Sequence, residues 1–310
     1  MEVEKTIDDI LLIPVLQKGD KLFHYTSASG LKGIMEGEFW VTEHGFLNDA
    51  TEFQVATDIF CEVVEKHIRN EEFCHWIQDR VREEIARNRN YDLSTNSKFA
   101  YNGDYIISFS QDYDSPLMWS SYSDYTGYCI QLDFGKIVDL FEKKYDIFFL
   151  HGKVVYDHDE QIHCIEESIR RSNRDWYEEY NHLDDWTDLE KQSTENLKRW
   201  CMYVSMIITA YNMFFKYPCF EGENEYRFVF MANHHSGILK SETLWKQYFR
   251  IKDEVLIPYI KVPLDSLEPV EKVLVGSKNK SDLAVKGLQC FFRNLKHDIE
   301  IEKSEVPLRY

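Results

Sequence analysis

The strongest constraint on the fold is the order of two apolar patterns along the chain. Short runs with strand character lie toward both ends. They are KLFHYT (21–26), FWVT (39–42), DYIISFS (104–110) and GYCIQLDF (127–134), then EYRFVFM (225–231), VLIPYIKV (255–262), VEKVLV (270–275) and IEI (299–301), with a further strand expected over 148–156. The middle differs. Residues 157–199 are charged, rich in Trp and Tyr, and read as helix, and RWCMYVSMIITAYNMFFKY (199–217) is apolar nearly all round, the pattern of a buried helix. Strands segregated from helices predict α+β rather than a regular βαβ alternation.

Shorter helices are expected after Ser27 or Ser29, after Asp49 as N-cap (Phe53, Ala56, Phe60, Val63 and Val64 recurring), over 71–87 and near 281–294. Residues 1–20 read as a lead-in, with a short helix from Ile7 to Leu16 broken at Pro14. No linker composition marks a boundary. The expectation is one domain over 1–310, with residues 135–215 as a mostly helical insertion.

Charge narrows the function. Lys plus Arg number 36 and Asp plus Glu 54, so the net charge is 36 − 54 = −18, which excludes a general polyanion binder. The arginines at 80, 82, 87 and 89, and at 170, 171 and 174, interleave with acids and read as solvated helix faces. Seven scattered cysteines form no disulfide framework. The first residues are acidic where a signal peptide carries positive charge, and no apolar run reaches about 18 residues. A cytoplasmic protein with no membrane partner is expected. His158, His163, Cys164, His234 and His235 match no metal-ligand spacing, so no metal is expected. The chain also lacks the glycine-rich dinucleotide, P-loop and nucleophile-elbow motifs.

Three polar islands interrupt the apolar strands, and buried polar groups must be paired or functional. The first is His24-Tyr25-Thr26, running into a capped helix. The second is Ser108 and Ser110, two apart and so on one strand face, followed by Trp119 and Tyr122. The third is Glu223-Asn224-Glu225-Tyr226-Arg227. In a strand Glu225 and Arg227 share a face, so the guanidinium could orient the carboxylate. Whether Glu223 joins them depends on where that strand begins. Each island also has a plain structural reading: a helix-starting histidine, serines bonded to backbone, an ion-pair ladder.

Taken in order, LFHYTS (22–27), FLNDATEF (46–53), ISFSQDYDSPLMWSSY (107–122), ENEYR (223–227) and LIPYI (256–260) resemble a widespread bacterial family of uncharacterised proteins. That family is grouped with the ADP-ribosyltransferase-like superfamily. The resemblance implies two packed, mainly antiparallel sheets with peripheral helices, with NAD in the cleft between them. It implies that His24 bonds the ribose, that the backbone at Tyr25 grips the nicotinamide amide, and that Thr26 supports the turn. Ser108 and Ser110 would stand on the second strand, with Tyr122 or Trp119 as an aromatic face for the nicotinamide ring. Asn48 would either cap a helix or contact substrate. Glu225 would be the catalytic carboxylate, oriented by Arg227, and Glu223 would orient the acceptor.

The activity so implied is NAD-dependent ADP-ribosyl transfer to a protein or nucleic-acid acceptor, in a bacterial toxin or phage-defence effector. NAD is the substrate. The alternatives are an NAD glycohydrolase, or a catalytically silent module that binds a nucleotide or partner, such as an antitoxin, in a toxin–antitoxin or defence system. In the last case the stretch 157–200, with Trp176, Trp186 and Trp200, would be the docking surface.

Overall fold

The computed structural model describes residues 9–47, 53–89, 103–144, 149–175, 186–231, 246–252, 254–279 and 282–307. In chain order the elements are β1 (Lys21–Thr26), α1 (Ala28–Met35), β2 (Glu38–Glu43), α2 (Val55–His67), α3 (Glu71–Arg89), β3 (Asp104–Ser110), α4 (Pro116–Ser123), β4 (Tyr128–Asp133), α5 (Phe134–Lys144) and β5 (Phe149–Lys153). There follow α6 (His158–Asp175), α7 (Thr194–Asn212), β6 (Glu225–Met231), β7 (Gln247–Lys252), β8 (Val255–Pro263), β9 (Val270–Val275), α8 (Asp282–Leu295) and β10 (Glu300–Lys303). The fold is α+β, with a large, mostly antiparallel sheet. No helix among the described residues is long and apolar enough to cross a membrane.

The chain divides into two compact units. One holds the sheet and comprises residues 15–47, 103–153 and 222–310. Among the described residues its ten strands form one hydrogen-bonded sheet in the order β10-β9-β4-β1-β3-β2-β8-β7, with β6 added to β3 and β5 to β6. All pairings are antiparallel except β9 with β10. The expected two separate sheets are thus one branched sheet. The branch point is β3. Along one edge it pairs with β6 throughout; along the other, Tyr105 and Ile106 face Glu43 and Thr42 of β2, while Ser110 faces Phe23 of β1. Between them β1 and β2 diverge, and residues 107–109 have neither strand as a ladder partner on that edge.

Strand alternation gives the sheet two faces. One carries Leu22, Ile107, Phe109, Ile130, Leu132, Phe228 and Phe230, which form the main core with α1, α5 and α8. The other carries Phe23, Tyr25, Cys129 and Leu274, covered by Met118 and Trp119 of α4. Most of the strand readings coincide with the observed strands. The exception is β7, whose apolar residues Phe249 and Ile251 are exposed and so leave no burial pattern to read.

The other unit is helical and comprises residues 1–14, 48–102 and 154–221. Its helices therefore come from two stretches of sequence rather than from a 135–215 insertion; α5 and β5, inside that range, belong to the sheet unit. Buried Asn212 accepts from the backbone of Ala56 and donates to Thr57, completing the start of α2 from α7. Asp49, the expected cap, lies outside the described residues. The segment Leu11–Leu16 is not helical, because Leu12 N–H turns to the Tyr211 hydroxyl. Trp200 is buried and donates to Asn173, and Trp186 stacks on His67 at 5.2 Å. Those two tryptophans form no exposed docking patch; Trp176 lies outside the described residues.

Candidate functional site

The three polar islands meet on adjacent strands. Phe23 of β1 faces Ser110 of β3, which faces Glu225 of β6; one rung further, Ser108 faces Arg227. Directly opposed residues of an antiparallel pair project to the same face. Ser108, Ser110, Glu225 and Arg227 therefore share one face of the sheet.

Glu225 and Arg227 make the close pair that their spacing predicts. Arg227 Nε lies 2.7 Å from Oε1 and Nη2 3.0 Å from Oε2, and both residues are buried. The fork geometry of the guanidinium matches both carboxylate oxygens. Glu223 does not join this face. Asn224 adopts a left-handed conformation (φ 42°), tolerable for asparagine, and breaks the strand alternation just before β6 begins. Gln111 N–H donates to the Asn224 carbonyl at 2.9 Å, and side-chain contacts also hold that corner against the end of β3. Gln111 Nε2 donates to Asn224 Oδ1, Asn224 Nδ2 donates to Asp112 Oδ1, and Ser110 Oγ donates to the Glu223 carbonyl at 2.8 Å. Glu223 is left half-buried, where Tyr122 donates to its Oε1 at 3.0 Å.

The second island also organises the loop into α4. The Tyr25 hydroxyl donates to the Asp112 carbonyl and accepts from Ser115 N–H, both at 2.8 Å. Trp119 Nε1 donates to Asp114 at 2.6 Å, and its ring meets Tyr25 edge-on at 5.1 Å. Of the two aromatics considered for the nicotinamide ring, Trp119 is fully buried, and Tyr122 is partly exposed and packs against the same cluster. The Thr26 hydroxyl fills the space that a Cβ on Gly30 would occupy, 2.1 Å away, and so fixes the first turn of α1. Asn48 lies outside the described residues.

His24 alternates with Phe23 and Tyr25 and points away from the Glu225 face. Its ring packs on Phe109, 5.3 Å between centroids. Nδ1 lies 3.0 Å from the Ser108 carbonyl, on the stretch of β3 where β1 and β2 part. A carbonyl only accepts, so Nδ1 carries the proton. Burial pushes the His24 pKa down to about 4, the Ser108 carbonyl opposes the fall, and the charge of Arg250 adds to it. The ring is therefore neutral at pH 7, and Nε2 presents a lone pair with no hydrogen-bond partner among the described residues.

The structure thus gathers Ser108, Ser110, Glu225 and Arg227 on one face, sets Glu223 and Tyr122 at its rim, and sends His24 to the other. Asn224, Gln111 and Asp112, which build the corner, carried no sequence signal beyond their polarity. Arg250, whose charge adds to the lowering of the His24 pKa, lies on the strand that periodicity did not reveal. Among the described residues no group of three or more His, Cys, Asp or Glu side chains is placed to hold a metal.

Residues 118–228 match the model of a family described as a protein of unknown function (DUF2971). The match takes in Trp119, Tyr122 and the corner at Glu223 and Asn224, and ends within β6. Neither the curated proteins nor the solved structures contain a significant match to the chain.

Proposed function

We propose that the sheet unit binds NAD and transfers its ADP-ribose to a macromolecular acceptor, releasing nicotinamide. The observation that carries this reading is the adjacency of β1, β3 and β6. These strands lie far apart in sequence, yet β1 and β6 both pair with β3, which brings Ser108, Ser110 and Glu225 to one face and leaves His24 on the other. A bacterial toxin or phage-defence role rests on that resemblance.

The reaction breaks the bond between ribose C1′ and the nicotinamide nitrogen. Nicotinamide leaves with the bonding pair, through an oxocarbenium-like state that a nearby carboxylate stabilises. Glu223 is the carboxylate with an accessible side chain, held by Tyr122, and is assigned to face the substrate and take the acceptor's proton. Glu225, buried and closed by Arg227, is assigned to hold the corner in place. The partly exposed Tyr122 is assigned to the cationic nicotinamide ring. If water replaces the acceptor, the same residues make an NAD glycohydrolase.

A second reading is a silent nucleotide- or partner-binding module, favoured by the burial of Glu225 in its ion pair. Nicotinamide release by purified protein, with and without cell lysate, separates the two. Turnover that falls on the order of 10²–10³ in Glu223→Gln supports the enzyme. No release under any condition, with NAD bound, supports the module.

A further inference from the structure

The sheet ends in two edges of opposite character. Among the described residues β10 stands at one end of the strand order and β7 at the other. On β7, Phe249 and Ile251 share the main-core face but reach beyond the core, 59% and 74% exposed, beside Leu256 of β8 at 61%. The other face carries Arg250 and Lys252, with Lys246 just before the strand. Residues 246–252 thus hold three cations and no acid, in a chain with 54 acidic residues to 36 cations.

On β10 the pattern is the converse. Ile301 lies on the main-core face beside Val273 of β9, and Glu300 and Glu302 lie on the other. Glu302 accepts from Lys272 and Tyr113. The Glu300 side chain stands 3.6 Å from Lys272 and is 62% exposed.

An exposed apolar edge strand is a template for another strand, and cations on such an edge restrict which strand can join it. Here they exclude β7 itself. Two β7 strands paired across a two-fold axis with their faces matched would be centred on Phe249, Arg250 or Ile251. Those registers set Lys246 opposite Lys252, Arg250 opposite Arg250, or Arg250 opposite Lys252, and like charges directly opposite destabilise a ladder. β10 offers acids at the same alternation. Its direction fits as well. β10 runs parallel to β9, and the six pairings from β9 through β4, β1, β3, β2 and β8 to β7 are all antiparallel, so β7 and β10 point the same way. A second copy displaced along the sheet brings its β10 beside β7 as a parallel neighbour. Ile301 then meets Phe249 and Ile251 on the core side, and Glu300 meets Arg250 and Lys252 on the other.

We propose that β10 of one copy adds to β7 of the next, extending the sheet from copy to copy. The contact is head-to-tail, so each added copy presents a fresh edge and assembly does not stop at a dimer. This association requires no NAD and stands apart from the transferase.

Sedimentation velocity of the full chain over a rising concentration series tests it. The wild-type mass should climb past that of a dimer. Ile251→Asp blocks the β7 edge and Glu300→Lys the β10 edge; both positions are exposed, and both variants should melt as wild type does. Lys252→Glu replaces Ile251→Asp if that variant does not fold. Each variant alone should sediment as a monomer. Mixed, they should form a one-to-one dimer, because the first keeps β10 and the second keeps β7. A wild type that stays monomeric, self-association that persists in either folded variant, or a mixture that remains monomeric overturns the proposal.

Discussion

Arg227 closes on both oxygens of Glu225, Nε to Oε1 at 2.7 Å and Nη2 to Oε2 at 3.0 Å, inside a strand where neither side chain meets solvent freely. Such a pair adds little over an apolar pair of equal size, but removing one partner strands the other charge. Glu225→Ala should therefore cost about 3–5 kcal/mol, read as a lower melting temperature in calorimetry. Replacing both residues with apolar ones should restore most of it. A single variant that melts like wild type would show that the pair does not set the stability of this strand.

Tyr25 is predicted to act on structure rather than on ligand. Its hydroxyl joins the Asp112 carbonyl to the Ser115 amide, so Tyr25→Phe should leave both without that partner and cost about 1–3 kcal/mol. Hydrogen exchange should rise across 111–119 while NAD affinity stays as in wild type. Lost affinity with unchanged exchange would assign Tyr25 to the ligand.

Gly127 joins β1 to the loop after α4. A Cβ there would stand 2.3 Å from the Thr26 carbonyl and 2.6 Å from Ser123 Cβ. Backbone cannot yield as a flexible side chain can. Gly127→Ala should destabilise on the order of 3 kcal/mol, measured by thermal unfolding, and an unaffected melting temperature would contradict the close approach.

Two buried imidazoles set a pH dependence. Burial lowers His24 and His151 to about 4 each, whereas an unfolded imidazole takes its proton near 6.5. Between those values the unfolded chain binds more protons. Their stabilisation is therefore complete above about pH 6.5 and is lost as the pH falls toward 4. His151 accepts or donates at Nδ1 to the Tyr226 hydroxyl at 2.6 Å, and its ring packs on Phe228. His151→Phe should narrow the drop in melting temperature between pH 7 and pH 4.5. An equal drop would place the pH dependence elsewhere.

Much of this fold can be read from residue order. The runs at 21–26, 104–110, 225–231 and 270–275 coincide with β1, β3, β6 and β9, because each carries β-branched and aromatic residues bounded by polar ones. The same-face pairing of Glu225 with Arg227 followed from a period of two. The side to which Glu223 turns did not, since a single left-handed residue, Asn224, decides it. His24 was visible as a polar island, but its face depends on the register with β3, a contact between strands far apart in sequence. The branched sheet arises from two strands sharing one edge, which local pattern does not encode. Arg250 lies on an edge strand whose apolar residues Phe249 and Ile251 are exposed, so no burial pattern reveals that strand in the sequence.

The central claim is tested most directly by incubating purified protein with NAD labelled in the ADP-ribose moiety, with and without cell lysate, and comparing wild type with Glu223→Gln and Tyr122→Phe. The account predicts nicotinamide release and labelled protein or nucleic acid with wild type, a loss on the order of 10²–10³ in Glu223→Gln, and melting temperatures unchanged in both variants. Wild-type rates in a folded Glu223→Gln, or no NAD consumed by wild type under any condition, would contradict it.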